Sequence, residues 1–178
     1  VRNFQQLAAN INVNPLLHQI QLHPELWNQN TLRTTHPQSP HQQVDDILLR
    51  FQSAQDASVI DEHETVWYPA WSVLTEAHEI VFNLCRAVKA ERIGRILISR
   101  MAPGKEIAPH IDGGSCAQYY TRYQIALQNL PGSIFKCGDE QVTFRSGDVW
   151  HFDNGVEHSV LNHSADDRIA MVVDLRTA

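Results

Sequence analysis

The sequence predicts a mostly β protein, an all-β sandwich or barrel with helices ahead of it. Three features carry that reading. Past Glu91 the chain breaks into eight short extended candidates, at 93–101, 106–112, 119–128, 133–137, 141–144, 148–153, 158–162 and 168–175. Turn-forming pairs separate them: Pro103-Gly104, Gly113-Gly114, Pro131-Gly132, Gly138-Asp139, Ser146-Gly147 and Asn154-Gly155. Only one long stretch, 71–89, has a helical period, so the regular strand–helix alternation of a parallel sheet is missing.

The elements follow in order. Asn14-Pro15 opens a short helix through Leu16, Leu17 and Ile20, with proline at the first helical position, and Pro24 interrupts it. Two prolines within His36-Pro37-Gln38-Ser39-Pro40-His41 make that stretch a loop. Residues 46–51 read as extended, with Ile47, Leu49 and Phe51 on one face and Leu48 and Arg50 on the other. In 71–89, Leu74, Ala77, Val81, Leu84 and Val88 recur at three- and four-residue steps, which predicts an amphipathic helix with Ser72 as N-cap. The expected division is one domain: N-terminal elements and a buttressing helix in 1–92, a β core in 93–178. A chain of 178 residues buries roughly two-thirds of its unfolded surface, so it needs no disulfide or metal to fold.

Composition removes several classes of function. With 43% apolar and 19% charged residues the chain is globular rather than disordered. A net charge of −6 without any Lys/Arg-rich run argues against a nucleic-acid partner. No apolar run approaches the ~20 residues of a membrane span. The cysteines, Cys85, Cys116 and Cys137, are far apart and form no CxxC pair. That removes Cys-based zinc sites and thioredoxin chemistry, and predicts a reducing compartment, the cytoplasm. Val1-Arg2-Asn3-Phe4 lacks a signal-peptide pattern and a Met, so the sequence is expected to be trimmed at its start. Ten histidines stand out, because histidine is a common metal ligand and general base.

Candidate chemistry gathers in the β half. In His110-Ile111-Asp112, strand alternation puts His110 and Asp112 on one side, and Gly113-Gly114 opens the strand end into a loop. His158 lies 46 residues after Asp112, a gap that a jelly roll closes by bringing distant strands together. Two histidines and a carboxylate form the facial triad of non-haem Fe(II) oxygenases; the plain alternative for His158 is a hydrogen-bonded wall residue. On the last strand, Arg168, Ala170, Val172 and Asp174 share one face and Ile169, Met171, Val173 and Leu175 the other, buried one. An arginine followed by small residues suits a pocket for a carboxylate, or else a surface pair with Asp166 or Asp167. Similarly Tyr123, Ile125 and Leu127 suit a core, while Arg122, Gln124, Ala126 and Gln128 face a site or solvent.

These residues, taken together, bring a family into view. The carriers are Ser99-Arg100-Met101-Ala102-Pro103-Gly104, Pro109-His110, Arg122-Tyr123-Gln124-Ile125, Gly147-Asp148-Val149, Phe152-Asp153, Glu157-His158, and Arg168 followed by Val172-Val173-Asp174. Residues 99–175 thereby resemble the aspartyl/asparaginyl β-hydroxylase family of 2-oxoglutarate- and Fe(II)-dependent oxygenases. Ser39-Pro40-His41 and the run from Asp45 to Phe51 look like the amino-terminal portion of bacterial and phage members. The resemblance implies a double-stranded β-helix, a cupin-like jelly roll, with flanking N-terminal helices. It makes His110 and His158 iron ligands and places Arg168, with Ser99 as hydrogen-bonding partner, on the distal carboxylate of 2-oxoglutarate. Arg122 and Gln124 go near the other carboxylate end. Some members carry Gly where Asp112 stands and bind iron through two histidines; this chain has the full triad, so Asp112 is expected to be a ligand. Some relatives carry His at the Gln124 position.

The implied reaction uses Fe(II), 2-oxoglutarate and O2, supported in vitro by ascorbate. The substrate classes that fit are an amino acid, an aspartyl or asparaginyl side chain of a peptide, or a related small molecule. Two other classes compete: a cupin-like metalloenzyme without 2-oxoglutarate, and a non-catalytic sensor that keeps the pocket. Arg33, His41, Arg50 and Arg100 are candidates for a substrate carboxylate, each with an ordinary surface role as the alternative. Trp67, Tyr68 and Trp71 fit a core better than a pocket wall, and His151 a core better than the site. Cys116 is placed at the substrate entrance. The remaining histidines, with His41 among them, are expected to be solvated where they precede the β core.

Overall fold

The computed structural model describes residues 2–53 and 63–178. Its larger sheet has seven strands in the order β1-β9-β6-β11-β4-β2-β3, and its smaller sheet four in the order β5-β10-β7-β8. The strands are β1 (Phe4–Ala8), β2 (Asp45–Phe51), β3 (Val66–Trp67), β4 (Ala90–Met101), β5 (Glu106–His110), β6 (Thr121–Gln128), β7 (Ser133–Cys137), β8 (Glu140–Val142), β9 (Val149–Phe152), β10 (His158–Asn162) and β11 (Arg168–Thr177). All recorded pairings are antiparallel. The helices are α1 (Asn14–Leu22), α2 (Leu32–Thr35), α3 (Pro69–Val73), α4 (Glu76–Val88) and α5 (Gly114–Tyr119). The fold is the expected jelly roll with flanking helices, and no described helix is long and apolar enough to cross a membrane.

The two larger cores give three layers. Ala77, Val81 and Leu84 of α4, with Leu16 and Ile20 of α1, pack on Ile169, Met171, Val173 and Leu175 of β11 and on Tyr123, Ile125 and Leu127 of β6. Phe4, Met101, Ala126 and Phe152 of the large sheet meet Ile107, Phe135 and Val160 of the small one. Period-two alternation therefore sends one face of β6 and β11 to the helices. Arg168, Ala170, Val172, Arg122 and Gln124 on the other face line a cavity between the sheets.

Several expectations change, and one strand was not expected. The helix over 71–89 is two helices, because Leu74 leaves helical geometry at φ −87°, ψ 64°. Pro69 starts α3 upstream, so Ser72 is inside a helix rather than capping one. The start of α4 is satisfied from α1: Gln19 accepts from the Glu76 N–H at 2.9 Å and donates to the Thr75 hydroxyl at 2.9 Å. In β2 the register slips between Leu48 and Arg50 against β4. That bulge moves Phe51 to the face of Leu48, away from Ile47 and Leu49. The candidate 106–112 ends at His110, and the candidate 119–128 begins only at Thr121 because α5 occupies the residues before it. Finally, β1 pairs Phe4 with Phe152 on β9. Its sequence, FQQLA, buries only Phe4, so no alternation announces it.

Candidate active site

His110 ends β5 and His158 begins β10, and the two are register partners. Each imidazole meets the backbone carbonyl two residues before it through Nδ1: Ala108 at 2.7 Å and Val156 at 2.9 Å. A carbonyl only accepts, so each Nδ1 carries the hydrogen and each Nε2 presents a lone pair. The ring centroids are 4.3 Å apart. Asp112 Oδ1 lies 3.4 Å from His110 Nε2 and 3.8 Å from His158 Nε2. One ligand atom from each of the three residues lies within 4.8 Å of the others. The buried His110 Nε2 has no hydrogen-bond partner, a costly arrangement for a lone pair that nothing else uses. Two nitrogens and one oxygen converging there could hold one metal ion.

Asp112 reaches this point from a loop, not by strand alternation. Its N–H donates to Asn154 O at 3.0 Å, which ties the loop after β5 to the one after β9. Asp112 Oδ2 accepts from Asn154 Nδ2 at 3.2 Å and from Arg122 Nη1. Arg122 also donates through Nε and Nη2 to the two oxygens of Asp174, at 2.8 and 2.9 Å. Burial alone would raise the Asp112 pKa, but the Arg122 guanidinium and the contacts with His110 and His158 hold it well below the usual carboxylate range. Burial would likewise lower Arg122, and the carboxylates of Asp112 and Asp174 raise it above its ordinary value instead. Burial pulls His158 below the usual imidazole value, which favours the neutral form a metal needs.

The other end of the cavity is built differently. Arg168 begins β11 at 4% exposure, and its Nη2 donates to Gln124 Oε1 at 2.9 Å. Among the described residues no carboxylate pairs with it, and burial pushes its pKa down to about 10. The surface pair with Asp166 or Asp167 is thus excluded; Asp167 instead lies 4.0 Å from Arg100. Ser99 is buried on β4, opposite Ala170 of β11, with Arg33 Nη2 3.4 Å from its hydroxyl. His110, Asp112, His158, Arg168, Ser99, Arg122 and Gln124 all line one cavity of about 390 Å³. Phe135 and Phe152 supply apolar wall beside the histidines.

The 36–41 loop returns to this cavity, so that of the four candidates for a substrate carboxylate Arg33 and His41 line it. His41 lies on its wall, edge-on to His110 with ring centroids 5.2 Å apart. Its Nδ1 is buried without a partner, and burial holds its pKa well below the ordinary value. No local pattern marks a contact between residues 41 and 110. Arg33 also lines the wall, gripped by Asp46 through Nε and Nη2 at 2.7 Å each. Arg50 lies over Trp67 and Arg100 over Trp27, and neither lines the cavity. Trp67 and Trp71 stack on each other outside it. His151 meets Arg122 O at 3.1 Å and stays off the wall. Cys116 is buried on α5, also off the wall rather than at the entrance.

The family model described as Aspartyl/Asparaginyl beta-hydroxylase matches residues 73–178. Among solved structures, a Pseudomonas putida prolyl-4-hydroxylase is similar at TM-score 0.57 and 12% identity, covering 100% of this chain and 94% of that one. The viral collagen prolyl hydroxylase of Paramecium Bursaria Chlorella virus-1, in its 2OG complex, is similar at TM-score 0.56 and 10% identity, covering 99% and 97%. A Burkholderia pseudomallei oxidoreductase of the 2OG-Fe(II) oxygenase family gives TM-score 0.56 at 16% identity, covering 94% and 91%. Identities this low establish the shared fold. No curated protein matches the sequence. The family match spans well over half of the chain and takes in His110, Asp112, His158 and Arg168; the chain belongs to the aspartyl/asparaginyl β-hydroxylase family and is an oxygenase of the hydroxylating kind.

Proposed function

We propose that the protein is a 2-oxoglutarate- and Fe(II)-dependent hydroxylase of an amino acid, of an aspartyl or asparaginyl side chain in a peptide, or of a related small molecule. The observation that carries the reading is Arg168: a buried cation with no carboxylate partner among the described residues, sharing a cavity with three converging metal-ligand atoms. A buried charge calls for a counter-charge, and a dicarboxylate that also chelates a metal supplies one. The unused lone pair of His110 supports the metal.

In this reading His110, Asp112 and His158 hold the iron. Arg168 grips the distal carboxylate of 2-oxoglutarate with its fork, Gln124 fixes the plane of that fork, and the Ser99 hydroxyl adds a hydrogen bond. When bound, iron with 2-oxoglutarate and O2 supplies the oxidation: the 2-oxo acid leaves as succinate and CO2, and one substrate C–H becomes C–OH. The backbone carbonyls of Ala108 and Val156 keep both imidazoles in the tautomer that ligates. Phe135 and Phe152 line the histidine side of the cavity with apolar surface. The cavity volume favours a small molecule or an exposed peptide side chain over a folded partner.

The test is succinate release by the purified protein supplied with Fe(II), ascorbate and 2-oxoglutarate, screened over amino acids and short peptides. His110→Ala and His158→Ala are expected to abolish it. Metal binding without any succinate would overturn the reading in favour of a metalloenzyme that does not use 2-oxoglutarate. Binding of both ligands without turnover would favour a sensor.

A further inference from the structure

We infer that Arg122 and Asp174 form a clamp that aims the Asp112 carboxylate at the metal position, so that Arg122 serves the metal site and not the cosubstrate. The inference rests on the metal site of the proposed function and reassigns one residue that the family resemblance placed near a carboxylate of 2-oxoglutarate.

Charge separates the two arginines of the cavity. Arg168 has no carboxylate partner among the described residues. Arg122 has two, one on each side. With Asp112 and Asp174 ionised, the three groups sum to one net negative charge, which repels a further anion and attracts a cation. Three of the five N–H groups of Arg122 are in use. Nε and Nη2 are committed to Asp174 at 2.8 and 2.9 Å, and Nη1 to Asp112.

The clamp also has a fixed base. Asp174 on β11 and Arg122 on β6 are register partners across the large sheet, and Asp174 is only 2% exposed. Asp112, by contrast, sits on a loop without regular backbone pairing on either side of it. A loop carboxylate needs an external hold to keep one orientation. Here Arg122 Nη1 and Asn154 Nδ2 both take Oδ2. That leaves Oδ1 as the oxygen nearest the two Nε2 atoms, at 3.4 and 3.8 Å. The arrangement presents a single oxygen, and it rests on a sheet instead of a loop. Arg122 and Asp174 are therefore positioning residues; neither needs to touch the metal or the substrate.

The experiment uses Mn(II), which is redox-silent, titrated into the full chain by calorimetry without 2-oxoglutarate. Arg122→Lys keeps the charge and loses the fork, and Asp174→Asn removes the charge of the base. Each is expected to weaken Mn(II) binding about ten- to hundredfold, the usual effect of losing a group that orients a ligand. In an Asp112→Ala background, Arg122→Lys is expected to change Mn(II) affinity no further, because its effect passes through Asp112. Should Arg122→Lys fail to fold, Asn154→Ala probes the same oxygen from the opposite loop and is expected to weaken Mn(II) severalfold.

Wild-type Mn(II) affinity in these variants, with only 2-oxoglutarate binding reduced, would overturn the clamp and return Arg122 to the cosubstrate. A loss that persists in the Asp112→Ala background would overturn it in favour of a general structural role. If the wild type itself bound no Mn(II), both the clamp and the proposed function would fall. Equal binding by wild type and variants would remove the clamp alone.

Discussion

Arg168 and Arg122 lie on neighbouring strands and face the same cavity, yet their surroundings divide them. Arg122 is neutralised from both sides, while among the described residues Arg168 has the neutral oxygen of Gln124 and no carboxylate. Arg168→Ala is therefore expected to weaken 2-oxoglutarate binding by about 2–5 kcal/mol, at least ~30-fold, as truncation of a buried charge pair does. Mn(II) affinity measured without cosubstrate should stay at the wild-type level. Arg168→Lys should recover only part of the loss, because a point charge cannot replace a fork. Equal losses of metal and cosubstrate would mean that Arg168 holds the fold instead. Much of this was legible in the sequence. Alternation along β6 and β11 put Arg122, Gln124 and Arg168 on the face opposite the apolar one and left it to meet a site or solvent; the structure lines the cavity with all three. Asp112 sits beside His110 by another route than the one read, through a loop tied to Asn154. His41 was legible only as one of four candidates for a substrate contact; its approach to His110 was not, since nothing local to residues 36–41 encodes their return to β5.

Elements were legible in proportion to how much of each one is buried. In β11 and β6 every second residue packs against the helices, so the period appeared plainly. In β1 a single residue, Phe4, carries the burial, and a strand defined by one side chain and its pairing with β9 leaves no period to read. The bulge in β2 and the break at Leu74 are backbone events whose neighbours remain apolar, so the pattern ran through them unbroken. Phe4 nevertheless matters beyond its strand. Its ring meets Phe135 at 5.3 Å and lies 6.5 Å from Phe152. Phe152 in turn lies edge-on to His158 at 4.9 Å. Phe4→Ala is expected to cost about 3–5 kcal/mol, the range for emptying a buried aromatic site, measured by urea unfolding. Because the cavity it leaves adjoins the wall behind His158, metal affinity should fall as well. Leu84→Ala in α4 tests the contrast. It should cost about 2–5 kcal/mol through the helix-side core while Mn(II) affinity of the folded protein stays unchanged. A variant of Leu84 that weakened the metal site as much as Phe4→Ala would show that the two cores are not separate in their effects.

At the scale of the whole molecule, the candidate site is a seam between the two sheets. His110 and His158 come from the small sheet, on β5 and β10, whereas Ser99, Gln124 and Arg168 come from the large one, on β4, β6 and β11. A metal held at the histidines and a dicarboxylate reaching from it to Arg168 would join both sheets at once. Ligands that bind only the native state stabilise it by mass action, about 2.7 kcal/mol when present at a hundred times their Kd. For a chain of this size one kcal/mol corresponds to about 2–4 °C in Tm. Mn(II) at that excess should therefore raise Tm by about 5–10 °C, and 2-oxoglutarate added to the Mn(II) form by a similar further amount. The two increments have different dependences. In Arg168→Ala the first should survive and the second should shrink at the same ligand concentrations, while in His158→Ala both should vanish together. A cosubstrate increment that survived in Arg168→Ala would place the dicarboxylate away from the large sheet and break the seam model. The order of dependence, metal first and cosubstrate second, follows from geometry: the metal ligands can act without Arg168, but a dicarboxylate at Arg168 gains its second hold only through the metal.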